Sequence, residues 1–177
     1  MGEILFRTRL SENLFKGLSP WMQKLPGGLI HVNVVGCALF AAISGSSAAT
    51  VATVGKMSIP ELRKRNYPEK ILLGSLAGSG TLGLLIPPSI ILIIYGVAVQ
   101  ESIAKLFIAG ILPGIMIALI FMSYVIFWSL INKKQMPKIV EEYSIFEKIK
   151  RSKQLLPVIF LISAVIGSIY TLSLIHI

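Results

Sequence analysis

Two short runs in this 177-residue chain concentrate the residue types able to handle a small ion. The first is Ser44, Gly45, Ser46 and Ser47, with Thr50 one turn further on. The second passes from Gly80 through Thr81 and Gly83 to Pro87, Pro88 and Ser89. Hydroxyls and freed main-chain carbonyls are neutral oxygen donors, and neutral oxygens are enough for sodium. A helix that begins at such a run points its first N–H groups at an anion. The expected ion- and substrate-binding set is therefore these residues, with Ser44, Ser46, Gly80 and Thr81 as the candidate sodium ligands.

Covalent or acid–base chemistry has little to draw on. The acidic residues are all glutamates, and none falls inside the long uncharged stretches. His31 lies in the first apolar arm and His176 lies next to the end. A carboxylate pair, a hydrolytic metal centre or a proton relay needs ionisable groups at depth. None of the serines has an evident His or Lys base beside it. Cys37 sits among Val35, Gly36, Ala38 and Leu39 and reads as packing. The expectation is a non-enzyme with no cofactor beyond a coupling ion.

The composition says what must position these runs. Apolar residues make up 54% and charged residues 14%, with a net charge of +9. Soluble domains carry about 25% charge. This argues against a soluble enzyme, a disordered tail and a nucleic-acid-binding module. Residues 25–55, 71–100, 106–132 and 154–177 hold no Lys, Arg, Asp or Glu. About 20 apolar residues cross a bilayer as a helix, and a central Lys or Arg costs roughly 2.5–3.5 kcal/mol. The expected class is all-α integral membrane, with membrane lipid around it.

Charge placement suggests the topology. If residues 25–55 enter and leave on one side, every basic residue except Lys105 lies on that same side, as short cytoplasmic loops require. If they span once, the basic residues divide between both sides. The first arrangement makes residues 25–62 a re-entrant helical hairpin with its tip at Ser44-Gly45-Ser46-Ser47, and a serine there is available as N-cap. The competing reading is one long kinked helix whose small residues serve close packing. A non-helical tip at membrane depth is tolerated only inside protein or beside water. Residues 71–100 form a broken transmembrane helix, because Pro87-Pro88 after a glycine-rich stretch removes donors and clashes with the preceding turn. Residues 1–24 read as an interfacial or partial helix, with no signal peptide. Residues 101–132 read as a transmembrane helix interrupted only at Pro113-Gly114. Residues 133–153 are an amphipathic cytoplasmic linker, with Ile139, Val140, Ile145, Phe146 and Ile149 as its apolar face. Residues 154–177 start a last span.

Ordered motifs along the chain carry a resemblance. They are Leu25-Pro26-Gly27-Gly28; Ala41-Ala42-Ile43-Ser44-Gly45-Ser46-Ser47-Ala48-Ala49-Thr50; Ile59-Pro60-Glu61-Leu62; Arg65-Asn66-Tyr67; Gly78-Ser79-Gly80-Thr81-Leu82-Gly83-Leu84-Leu85-Ile86-Pro87-Pro88-Ser89; Tyr95-Gly96; and Gly110-Ile111-Leu112-Pro113-Gly114. Together they resemble the large membrane subunit of the tripartite ATP-independent periplasmic (TRAP) transporters. The resemblance implies a sodium-driven, elevator-type importer of organic acids such as C4-dicarboxylates or sialic acid. It implies two partners, a small membrane subunit and a periplasmic solute-binding protein, and a multi-pass place in a bacterial inner membrane. It also implies that the first hairpin tip and the broken helix form one sodium site and one wall of the substrate site.

Members of that family are much longer and contain two inverted repeats, so the chain reads as a fragment covering about the first. Met1 and residues 172–177 are expected not to be native ends, and transport by this piece alone is not expected. Two other readings stay open: a related elevator-type anion permease without a binding protein, and a non-transporting membrane scaffold. In a scaffold, the tip and the unwound stretch would lie apart or face lipid.

Overall fold

The computed structural model describes residues 10–137 and 145–175; these are mostly helical, with no strand among them. In chain order they are α1 (Leu10–Met22), α2 (Ile30–Ser44), α3 (Ser47–Lys64), α4 (Glu69–Gly80), α5 (Ile90–Val99), α6 (Ile103–Ile131), α7 (Ile145–Ser152) and α8 (Leu156–Ile175). Short 3-10 turns occupy Thr81–Leu84, Lys133–Gln135 and Lys153–Leu155. Residues 1–9, the linker positions Ile139 and Val140, and His176 lie outside the described residues.

α2 is the centre of the molecule. It is apolar on every side, and a helix of that kind must be enclosed. Ile30, Val32, Val34 and Cys37 are each fully buried, and Phe40 nearly so. Leu14 of α1, Val54 and Leu62 of α3, Leu72 and Leu76 of α4, and Val158 of α8 pack around it.

α2 and α3 lie antiparallel. The two-residue break Gly45-Ser46 separates them, and Gly36, nine residues before Gly45, faces Val54, eight residues after Ser46. A Cβ at Gly36 would stand 3.6 Å from Val54 Cγ1, an ordinary contact. Small residues let the arms approach closely, as dispersion-driven packing in lipid requires. The arms are 15 and 18 residues long, or roughly 22 and 27 Å at about 1.5 Å per residue.

The base of this pair is clasped. Leu29 donates its N–H to the Tyr67 hydroxyl at 3.1 Å, and His31 Nε2 meets the Pro26 carbonyl at 2.8 Å. Burial raises the Tyr67 phenol above the ordinary tyrosine value. Tyr67→Phe leaves the Leu29 N–H, on a residue 1% exposed, without its acceptor. We expect a loss of roughly 1–3 kcal/mol, read as a lower melting temperature of the detergent-solubilised chain. An unchanged melting curve would remove the clasp from the account.

α5 and α6 reverse the pattern of α2. They are as apolar, yet uncovered: Val97 is 68% exposed, Leu112 76% and Ile131 66%. Among the described residues α6 is the helix long and apolar enough to cross a membrane, with 29 residues. The interruption expected at Pro113-Gly114 is absent, and α6 runs through it. Gly110 and Gly114 instead seat the chain after α4. A Cβ at Gly110 would come 2.8 Å from the Leu85 carbonyl, and one at Gly114 would come 3.0 Å from Ile86 Cγ1. The two glycines therefore mark a packing surface rather than a helix break.

α7 lies along α1. Trp21 donates from Nε1 to Ser152 Oγ at 2.9 Å, and the Lys148 ammonium sits 5.7 Å from the Trp21 ring centre. Phe146, expected on the apolar face of the linker, is 77% exposed.

Candidate functional site

Each of the two Gly- and Ser-rich runs ends one helix and starts another. α2 stops where Gly45 takes up left-handed backbone at φ 61°, with its N–H on the Ala41 carbonyl. Ser46 is extended and caps α3, its Oγ accepting from Ala49 N–H at 3.5 Å. The cap satisfies one of the donors that every helix start leaves free. Ser44 Oγ and the buried Thr50 Oγ1 share a hydrogen bond of 2.8 Å across the tip. Ser44 Oγ also donates to the Ser46 carbonyl at 3.3 Å.

The second run is built differently. α4 ends at Gly80, tightens into the 3-10 turn Thr81–Leu84, and continues irregularly through the cis peptide Pro87–Pro88 to Ser89. Proline at 87 and 88 removes two main-chain donors, which is why regular helix resumes only at Ile90. Ser89 is fully buried, and its hydroxyl donates to the Leu84 carbonyl at 2.6 Å. That bond closes the irregular loop on itself.

The two interruptions interlock. Ile90 N–H donates to the Gly45 carbonyl at 3.4 Å. A Cβ on Gly45 would run into the Pro88 carbonyl oxygen. A Cβ on Gly83 would meet Ser47 N at 2.9 Å and Ser47 Cα at 3.0 Å. One on Gly80 would strike a Val51 methyl. The hairpin tip is therefore pressed main chain to main chain into the break after α4. This is the reverse of the separation that a scaffold would show.

The electrostatic arrangement follows from the backbone. The C-terminal ends of α2 and α4 bring partly negative carbonyls to this junction, and the N-terminal ends of α3 and α5 bring partly positive N–H groups. Ser44, Gly45, Ser46, Ser47 and Thr50 lie on one side of the contact. Gly80, Gly83, Pro88 and the Ser89–Ile90 step lie on the other, with Pro87 buried just behind. Thr81 stands apart: its side chain is exposed, and its hydroxyl donates to the Gly78 carbonyl at 2.7 Å.

Sequence reasoning passed over a second polar group between α2 and α4. Asn33 Nδ2 donates to Ser75 Oγ at 3.0 Å, and Ser79 Oγ lies 3.4 Å from the Asn33 carbonyl. The available signal was an amide side chain within an otherwise largely aliphatic arm.

Known proteins match the chain along most of its length. The family model described as "Tripartite ATP-independent periplasmic transporter, DctM component" covers residues 1–175. The C4-dicarboxylate TRAP transporter large permease protein DctM of Pseudomonas aeruginosa is 39% identical over 145 residues, which are 82% of this chain and 33% of that protein. The sialic acid TRAP transporter permease protein SiaT of Haemophilus influenzae is 41% identical over 114 residues, 64% of this chain and 18% of its own. The ectoine TRAP transporter large permease protein TeaC of Halomonas elongata is 36% identical over 130 residues, 73% of this chain and 30% of its own. The chain thus spans about a third or less of the length of these relatives.

Proposed function

From the premise that the chain belongs to the DctM family of TRAP transporter large permeases, we propose that its hairpin tip and broken helix form one ion-and-carboxylate site of a sodium-coupled importer of organic acids. The observation that carries this reading is the interlock. Gly45 accepts from Ile90 N–H, and Gly83 abuts the backbone of Ser46 and Ser47.

The α2 and α4 carbonyl ends and the Ser44 hydroxyl supply oxygens of the kind a sodium ion takes. The free N–H groups at the starts of α3 and α5 suit a carboxylate, because helix N-termini carry partial positive charge. Sodium holds the tip ordered against the break, which completes the carboxylate site at the start of α3. The hairpin enters and leaves the membrane on its cytoplasmic side, and the loaded unit crosses the bilayer as an elevator. C4-dicarboxylates and sialic acid are the leading solutes, because relatives are named for them. A small membrane subunit and a periplasmic solute-binding protein complete the transporter in a bacterial inner membrane. A second inverted repeat supplies the rest of the site.

The test is sodium-dependent uptake by the assembled transporter containing this segment. Ser44→Ala removes the hydroxyl that bridges Thr50 and Ser46. We expect the sodium concentration for half-maximal uptake to rise about tenfold, a loss of about 1.4 kcal/mol of sodium binding. Thr81→Ala should have a smaller effect, because the Thr81 side chain is exposed and stands apart from the contact. Uptake indifferent to sodium in the unaltered protein, or unchanged by Ser44→Ala, would refute the assignment.

A further inference from the structure

The polar layer around Asn33 lies toward the base of the hairpin, away from the ion site. Asn33 and Ser58 are both fully buried. Asn33 Nδ2 is spoken for, donating to the Leu72 carbonyl at 3.3 Å and to Ser75 Oγ at 3.0 Å. Asn33 Oδ1 and Ser58 Oγ have no partner among the described residues. Turning the amide over does not help, since its oxygen would then face the Leu72 carbonyl.

The helical repeat puts these two groups on facing surfaces. Gly36 and Val54 meet across the hairpin. Asn33 is three residues below Gly36 on α2, and Ser58 is four residues beyond Val54 on α3. Each step is one turn toward the base on the same helix face. α4 closes the third side. A Cβ at Gly55, one turn above Ser58, would lie 2.9 Å from Leu76 Cδ2, and Leu72 is one turn below Leu76. Asn33 Oδ1, Ser58 Oγ and the Leu72 backbone therefore share one layer of the crease between α2, α3 and α4.

We propose that this layer is a binding site for a single ordered water, which donates to Asn33 Oδ1 and accepts from the Ser58 hydroxyl. Two buried polar groups left unpaired are costly, and one immobilised water satisfies both at smaller expense. Buried waters occupy such sites, bridging otherwise unsatisfied groups. Asn33 is then a positioning residue. It holds α4 directly and α3 through the water, so the two arms and the first half of the broken helix keep one register. The site needs no transported ion and stands whether or not the proposed function does.

The test is a double-mutant cycle on the full chain in nanodiscs, reading the unfolding constant for Asn33→Leu, Ser58→Ala and the pair. Each single change is expected to raise the unfolding constant about tenfold or more. The pair should fall short of the product of the singles by about tenfold, because the shared water is lost only once. Strict multiplication of the two effects would overturn the proposal. If Asn33→Leu does not fold, Ser58→Thr and Ser58→Ala decide: restored stability with the hydroxyl-bearing Thr supports the bridge, and equal loss in both refutes it. A density map that resolves ordered solvent gives a direct reading. A peak within hydrogen-bond reach of both Asn33 Oδ1 and Ser58 Oγ is expected, and a dry layer overturns it.

Discussion

Gly45→Ala is expected to unseat the hairpin tip while leaving the hairpin's base folded. Gly45 holds φ 61°, and left-handed backbone costs a residue with a Cβ about 1–2 kcal/mol. The added methyl is also driven into the Pro88 carbonyl oxygen, an overpacking worth a further ~1–3 kcal/mol. Together these roughly 2–5 kcal/mol fall on a contact whose main-chain bond, Ile90 N–H to the Gly45 carbonyl, is already long at 3.4 Å. The contact yields before the buried packing around α2 does. Hydrogen exchange on the chain in nanodiscs should show amides 44–50, 81–86, 89 and 90 losing protection, while those near Leu29 and Leu62 keep theirs. Gly45→Asn separates the two causes. Asn tolerates left-handed backbone better than Ala but carries the same Cβ, so its effect should be intermediate. Undiminished protection at the tip in Gly45→Ala would mean that the interlock is not what holds it.

Gly80→Ala and Gly83→Ala should both destabilise the junction, by about 1–3 kcal/mol each, but only the first should be rescuable. At Gly80 the obstacle is a Val51 methyl, with Val51 Cβ further off at 3.5 Å. A β-branched side chain in a helix is held to one rotamer and cannot swing aside. Val51→Ala removes the methyl and leaves an ordinary contact, so the pair Gly80→Ala, Val51→Ala should regain most of the lost stability. At Gly83 the obstacles are Ser47 N at 2.9 Å, Ser47 Cα at 3.0 Å and Ser46 C at 3.1 Å. All are main chain, and no neighbouring substitution can trim them. Melting of Gly80→Ala, Gly83→Ala and the pair Gly80→Ala, Val51→Ala in detergent distinguishes the cases. Failure of Val51→Ala to rescue, or a neutral Gly83→Ala, would contradict the packing described.

The amino-acid sequence carried the helical class and the places where helices stop. Long uncharged stretches require helices that satisfy their own backbone in lipid, and Ser44-Gly45-Ser46 and Pro87-Pro88-Ser89 cannot continue one. What the sequence does not carry is which ends meet. That depends on the rotation of α2 against α4, set by packing spread over the whole of α2. Pro113 shows the complementary failure. As a local signal it reads as an interruption, but α6 runs through it, with the glycines on either side fitted against Leu85 and Ile86. The Asn33 layer was hidden for a similar reason. A lone amide gives no hint of its partners until α4 brings Leu72 and Ser75 alongside.

The tip is fastened by a carbonyl, an N–H and the places where side chains are missing, so the fastening carries no information about the solute. On the proposed function, side chains around the starts of α3 and α5 can therefore vary for a new solute without loosening the contact between the tip and the break. A permease built this way would change what it imports by altering that lining and leaving the tip contact alone. Relatives named for a C4-dicarboxylate, sialic acid and ectoine are what such a division of labour would produce.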